Sequence, residues 1–170
     1  MIIALDRTYW QENNILIASA IYQKRAFPIF GILLSKKGTS NLRKQQIVLR
    51  PVIKLSKAHQ IVIAGDREFH SVDLAQWIGR QGVKFVLREK KDTNFRLRRR
   101  KFNSLSSVQT APGQQEFFSK INITKKKGFC PFNLAVCWRR KYKNKQEKDP
   151  YYLLTNLRDL ETAVKAYKQR

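Results

Sequence analysis

The sequence predicts an α/β fold in which a mixed sheet carries helices on both faces and a basic β-strand insertion. Two short, unbroken apolar runs, residues 2–5 and 61–64, are typical of strands buried on both faces of a sheet. Stretches with helical periodicity alternate with further apolar runs around them. After residue 88 the composition becomes strongly basic, which marks the insertion.

The order of the predicted elements is strand, strand, strand, helix, strand, helix, strand. They cover residues 2–5, 15–22, 26–34, 42–53, 61–64, 71–82 and 83–87. Thr39 or Ser40 is expected to cap the first helix, in which Pro51 predicts a kink or a break. Ser71 is the predicted cap of the second helix. This order, with acids at strand ends, favours an RNase H-like fold by analogy.

Three segments follow from this reading. Residues 1–88 form the first part of the core, and residues 89–148 form the basic β insertion. The insertion contains two predicted strands, 117–124 and 129–138, with a hairpin turn between them. Residues 149–170 supply a strand that returns to the core and a final helix.

The charge balance indicates a polyanionic partner. The chain has 35 Lys and Arg residues against 12 Asp and Glu residues, a net charge of +23. Such an excess favours DNA or RNA first and an anionic membrane surface second, and phosphate binding would give steep salt dependence. No apolar run approaches the roughly 20 residues that span a bilayer, so we expect no membrane association and a location in the cell interior.

Two of the few acids follow the most apolar strands. Asp6 comes directly after the first buried run, and Asp66 follows the second run after a single glycine, Gly65. If the strands are neighbours, the carboxylates converge, and such a pair suits Mg²⁺ or Mn²⁺. The simpler interpretation is that each Asp binds nearby backbone amides at a strand end. Glu68 is expected to be a solvated turn residue.

Basic residues of the insertion are the predicted DNA contacts. They are Arg98, Arg99, Arg100, Lys126, Arg139 and Arg140. A solvated loop is the alternative for these charges. Trp138 lies beside two arginines and could stack on a base, although a strand Trp also packs readily in a core.

Three sequence motifs resemble those of a known family. The segments L-D-R-T-Y-W at 5–10 and G-D-R-E-F-H-S at 65–71 resemble the first two acidic motifs of bacterial insertion-sequence DDE transposases. The similar group has a β-strand insertion and a Tyr-x-x-Arg-x-x-x-Glu motif on its last catalytic helix. Tyr167 to Arg170 matches the first half of that motif, so the resemblance covers nearly the whole chain.

The resemblance implies a role for each matched residue. Asp6 and Asp66 would be catalytic aspartates that share Mg²⁺ or Mn²⁺, and Arg170 and Tyr167 would contact DNA phosphate near the cleaved end. The reaction would be metal-dependent cleavage and strand transfer at double-stranded transposon ends. Family members act as paired subunits, which implies a homodimer, in the bacterial cytoplasm and associated with the nucleoid.

The motif's glutamate would come four residues after Arg170, beyond the end of the sequence. We therefore expect a chain truncated at both ends, with two of three catalytic acids and little or no activity alone. One alternative is a basic DNA-binding remnant without catalysis. Another is an RNase H-like nuclease that takes no part in transposition.

Overall fold

The computed structural model describes residues 1–35, 40–97, 101–124, 132–140 and 149–170. Those ranges contain a ten-stranded sheet and three α-helices. The strands are β1 (Ile2–Trp10), β2 (Asn13–Tyr22), β3 (Arg25–Leu34), β4 (Val62–Gly65), β5 (Lys84–Glu89), β6 (Asn94–Leu97), β7 (Asn103–Ser104), β8 (Gln115–Ile123), β9 (Phe132–Cys137) and β10 (Tyr151–Thr155). The helices are α1 (Leu42–Leu55), α2 (Val72–Arg80) and α3 (Leu160–Gln169).

The sheet is mixed, with the order β3-β2-β1-β4-β5-β10-β9-β8-β6-β7. Strands β1, β4 and β5 are parallel neighbours at its centre. The meander of β2 and β3 extends one side of this centre in antiparallel fashion, as the sequence predicts. On the other side, β10 pairs antiparallel with β5. The carboxyl ends of β1, β4 and β5 therefore share one edge of the sheet.

Strand β1 is longer than predicted. It continues through Asp6 to Trp10, whereas the apolar run alone indicated an end at Asp6. The physical reason is its partner: β2 supplies antiparallel hydrogen bonds along the whole length, and Asp6 pairs with Ile17. The second half of β1 is largely exposed, and it stays extended because β2 hydrogen-bonds its backbone after β4 has ended.

Side-chain caps define where α1 and α2 begin. The side chain of Asn41 accepts a hydrogen bond from the Lys44 amide and caps α1, so the predicted cap at Thr39 or Ser40 is wrong. Pro51 lies inside α1, which runs on to Leu55 without a break. Ser71 caps α2 as predicted, through a hydrogen bond from the Leu74 amide.

Two cores lie on opposite faces of the sheet, because successive side chains of a strand alternate between faces. Leu5, Ile63 and Leu87 pack on the face that α1 and α2 cover. The other core includes residues of α3 together with Val86 and Leu153. The predicted fold class, with helices on both faces, is confirmed.

The strands of the predicted insertion extend the same sheet beyond β10. Strands β8 and β9 pair antiparallel, and β6 joins β8 on the outer side. The turn predicted between β8 and β9 lies outside the described residues. Within the described ranges, no helix combines the length and the apolar composition needed to cross a bilayer.

Candidate active site

The register of the two central strands places Asp6 and Asp66 side by side. Leu5 of β1 is paired with Gly65 of β4, and each Asp is the next residue. Neighbouring strands lie about 4.8 Å apart, so the two carboxylates project from adjacent positions at the carboxyl edge. Because Leu5 faces α1 and α2, Asp6 points to the opposite face, on which α3 lies.

Each of the two aspartates also binds a backbone amide. Oδ1 of Asp6 accepts a hydrogen bond of 2.8 Å from the Arg7 amide. Oδ1 of Asp66 accepts one of 2.9 Å from the Glu68 amide and thereby caps the 3₁₀ turn at Arg67–Phe69. The simple strand-end interpretation is thus correct for one oxygen of each carboxylate. It does not account for the second oxygens.

Arg7 and Glu68 form an ion pair beside the aspartates. Nε of Arg7 lies 3.0 Å from Oε2 of Glu68, and the side chains are only 17% and 15% exposed. The expectation that Glu68 is a solvated turn residue is wrong. The 3₁₀ turn carries it back against β1, where Arg7 neutralises its charge.

The carboxyl groups at this edge interact electrostatically. Burial raises the pKa of the Glu68 carboxyl above its ordinary value. The positive charge of Arg7 and a hydrogen bond with the backbone of Ser40 oppose that rise. The negative charges of Asp66 and Asp6 add to it, so the three carboxyl groups occupy one electrostatic neighbourhood.

Helix α3 brings Arg170 to the same edge. Its Nη1 lies 3.6 Å from Oδ2 of Asp66, and both side chains are partly exposed, at 25% and 39%. The guanidinium also lies over the ring of Tyr167, 5.1 Å from the centroid. The structure therefore joins the end of α3 to the end of β4, far apart in sequence.

Tyr167 is buried beneath this arginine. It is 7% exposed, and its hydroxyl has no hydrogen-bond partner within the described part of the chain. Its ring centroid is 6.0 Å from that of Tyr151. Arg88 and Arg139 lie over the Tyr151 ring, at 4.1 Å and 5.0 Å. A row of aromatic and guanidinium groups in contact thus runs from the segment after β9 to the acidic edge.

The other predicted DNA contacts divide into two groups. Trp138 follows β9 and is half-buried, whereas Arg139 and Arg140 are exposed. Arg140 packs over Gly113, so that a Cβ at that glycine would lie 2.6 Å from the Arg140 Nε. The remaining four residues lie outside the described residues: Arg98, Arg99, Arg100 and Lys126.

The ion pair between Arg7 and Glu68 was not predicted from the sequence. Each residue stands within two positions of an aspartate, and that proximity was the available signal. The sequence could not show that the two charges meet, because the contact depends on the register between β1 and β4.

The oxygen donors at this edge fit a hard divalent cation only in part. Among the described residues, no group of three or more His, Cys, Asp or Glu side chains could hold a metal ion. Mg²⁺ commonly keeps several waters and takes one or two carboxylates together with substrate phosphates. Two neighbouring aspartates are compatible with that mode, and they do not form a complete protein cage.

A comparison with protein-family models identifies the family of the chain. A family model described as a transposase DDE domain matches residues 19–170, a range that contains Asp66 and Arg170 but not Asp6. A search of curated proteins finds no significant match.

A solved structure shares the fold. It is the cryo-EM structure of the piggyBac transposase synaptic complex with hairpin DNA, with a TM-score of 0.50 and 16% sequence identity. The alignment covers 99% of this chain and 37% of that chain, so this chain spans little more than a third of its length. At this identity the likeness concerns the fold, and it supports the RNase H-like architecture.

Proposed function

The chain belongs to the transposase DDE domain family, and on that premise we propose that Asp6 and Asp66 form part of its catalytic metal site. The observation that carries the proposal is the register of β1 and β4. It sets both aspartates one residue beyond the paired Leu5 and Gly65, at the carboxyl edge of neighbouring strands. Ligands of open α/β sheets bind outside this edge.

The family generally uses a divalent metal ion, and we propose Mg²⁺ or Mn²⁺ here. Carboxylate oxygens suit both ions. When bound, such an ion activates water or a hydroxyl and stabilises the leaving oxygen of a phosphodiester. Asp6 and Asp66 would hold it through the oxygens that the Arg7 and Glu68 amides leave unused.

The proposed substrate is double-stranded DNA at transposon ends, cut and then joined to a target. Phosphates would be attracted by the excess of positive charge, +23 for the chain. Arg170 would leave Asp66 and contact a phosphate near the cleaved bond. Tyr167 would support it from below, because the guanidinium already lies over that ring. Arg139, Arg140 and Trp138 would contact DNA further from the cut.

Metal binding tests the site directly. Mn²⁺ titration followed by electron paramagnetic resonance should show binding to the wild-type chain. Asp66→Asn should weaken it by at least about tenfold, because a ligand charge is lost. Glu161→Gln is the control, since Glu161 is exposed on α3. Mn²⁺ binding that is equal in the wild type and Asp66→Asn would refute the site.

Cleavage tests the completeness of the site. The described residues supply two carboxylates, so we expect little nicking of supercoiled plasmid by the chain alone with Mg²⁺ or Mn²⁺. Efficient cleavage that Asp66→Ala abolishes would show that the chain is catalytically complete. Joined products in addition to cut ones would distinguish transposition from the activity of a nuclease of the same fold.

A non-catalytic DNA-binding role is the second candidate, and the charge of +23 favours it. In that case DNA binding would be unaffected by Asp66→Asn and by removal of divalent ions with a chelator. The same binding assay would show a steep loss of affinity with salt for either role. We propose pairing of two chains on DNA only as part of the catalytic role.

A further inference from the structure

A continuous path of three contacts links the two aspartates through Arg7 and Glu68. The Arg7 amide donates to Asp6, and the Arg7 side chain contacts Glu68 at 3.0 Å. The Glu68 amide in turn donates to Asp66. The backbone of Arg7 therefore holds Asp6, and the backbone of Glu68 holds Asp66. The side chains of Arg7 and Glu68 join these two units.

The alternation of side chains along β1 places Asp6 and the Arg7 side chain on opposite faces of the sheet. Asp6 points to the face of α3, and Arg7 points to the face of α1 and α2. The ion pair thus lies behind the sheet edge, away from the space into which the aspartates project. It is also largely protected from water, since the side chains are 17% and 15% exposed.

Protection of this kind makes the pair a stronger link than a surface ion pair. Exposed pairs are screened by solvent and gain little from their geometry. Removing one partner of a shielded pair leaves a poorly compensated charge, which then moves toward water. Movement of Glu68 would displace the 3₁₀ turn, whose Glu68 amide donates to the Asp66 carboxylate.

We propose that Arg7 and Glu68 are positioning residues that set the separation and orientation of Asp6 and Asp66 for a divalent cation. The inference rests on the proposed metal role of the two aspartates. Arg7 and Glu68 do not touch the metal in this arrangement. They contact the residues that bind the metal. In metal sites generally, hydrogen bonds to the coordinating side chains fix the orientation of those side chains.

The test measures Mn²⁺ affinity by electron paramagnetic resonance in the absence of DNA, so that a lost positive charge cannot act through phosphate binding. Arg7→Met and Glu68→Gln should each weaken Mn²⁺ binding by about tenfold, the lower end of the range for partners of metal ligands. Combining them should add little, because either change alone breaks the link. Arg7→Lys keeps the charge and should remain closer to the wild type.

A matched control comes from the exposed pair Lys91–Asp149, whose charged atoms lie 3.3 Å apart. Lys91→Met removes the same charge as Arg7→Met, and Mn²⁺ affinity should not change. Thermal unfolding of every variant shows whether it is folded. If Arg7→Met does not fold, the comparison uses Glu68→Gln and the charge-reversed double variant Arg7→Glu with Glu68→Arg, which should recover part of the affinity that Glu68→Gln loses.

The outcomes separate the two proposals. Mn²⁺ binding that Asp66→Asn weakens but that the Arg7 and Glu68 variants leave unchanged would overturn the positioning role alone. Mn²⁺ binding in the wild type that does not depend on Asp66 would overturn the metal site and the positioning role together. Weakened binding in folded Arg7 and Glu68 variants, with Lys91→Met unaffected, supports both.

Discussion

Arg170 lies 3.6 Å from Asp66, so the last residue of the sequence meets the carboxylate that follows β4. The two side chains are partly exposed, and pairs of this kind contribute at most about 1 kcal/mol to stability. A weak pair is readily exchanged for stronger partners. The proposed transfer of Asp66 to a cation and of Arg170 to a phosphate would therefore cost the fold little.

DNA binding by Arg170 is the first prediction. Arg170→Ala should lower affinity for duplex DNA and reduce the slope of log affinity against log salt by about 1, as expected for one lost phosphate contact. Its effect on thermal stability should be small. Fluorescence anisotropy across a salt series measures the slope.

Arg80→Ala is the control for this measurement, because Arg80 is exposed at the end of α2. The Arg80→Ala variant loses the same positive charge as Arg170→Ala. Arg80 lies near the start of β5, at the edge of the sheet opposite to the one that carries Asp66. An equal change of slope in the two variants would mean that Arg170 contributes only to the overall charge.

The second prediction concerns Gly65, which directly precedes Asp66 and is closely packed. A Cβ at Gly65 would lie 3.0 Å from both Leu87 Cδ2 and Phe69 Cβ. Gly65→Ala should therefore destabilise the chain by about 1–3 kcal/mol through overpacking. It should also weaken Mn²⁺ binding, because relief of the clash moves the adjacent carboxylate.

Gly79→Ala is the matched control in urea unfolding. Nothing lies within 4 Å of a Cβ at that helical position. The variant should be more stable than the wild type by roughly 0.5–1 kcal/mol, because alanine is favoured over glycine inside a helix. Loss of stability in both variants alike would show that the close packing at Gly65 has no special effect.

Glu89 gives the third prediction, which concerns pH. It ends β5 and is 2% exposed. Burial raises the pKa of its carboxyl from 4.5 to about 8, although a hydrogen bond from Thr93 and the charge of Lys90 oppose the rise. The folded state therefore holds the proton more tightly than the unfolded state, and stability is lost as pH rises from 4.5 toward 8.

Glu89→Gln should remove this part of the pH dependence, because the amide stays neutral. The variant should be more stable than the wild type by roughly 3–5 kcal/mol at about pH 9, as a pKa difference of this size implies, and similar to it at about pH 4. Urea unfolding of both proteins at the two pH values isolates this group from the other carboxylates. A difference that does not change with pH would contradict the buried, protonated carboxyl.

Asn156 supports the fourth prediction. Its Oδ1 accepts from the Phe85 amide, and its Nδ2 donates to the Val83 carbonyl, each at 2.9 Å. The side chain thus ties the segment before α3 to the start of β5. Asn156→Ala leaves both backbone groups without this partner and should cost about 1–3 kcal/mol.

Thermal and urea unfolding measure that loss. Lys165→Ala, on the exposed side of α3, serves as the control and should change stability by at most about 0.5 kcal/mol. Because Asn156 anchors the segment that leads into α3, its loss should loosen the contact between Arg170 and Asp66. A stability equal to that of the control would show that water replaces the amide fully.

The sequence by itself determined the central architecture. Unbroken apolar runs predicted the buried strands β1 and β4, and the charge of +23 indicated a polyanionic partner. The position of Asp66 directly after β4 followed from the run that ends in Gly65. These features are local, so short-range periodicity and composition suffice to recognise them.

Only the tertiary structure decided which side chains meet. The extension of β1 beyond Asp6 depends on hydrogen bonds from β2, and the ion pair of Arg7 with Glu68 depends on the register with β4. The contact of Arg170 with Asp66 depends on how α3 packs across the sheet. Such contacts join residues distant in sequence, and their geometry is set by packing rather than by the local pattern of residues.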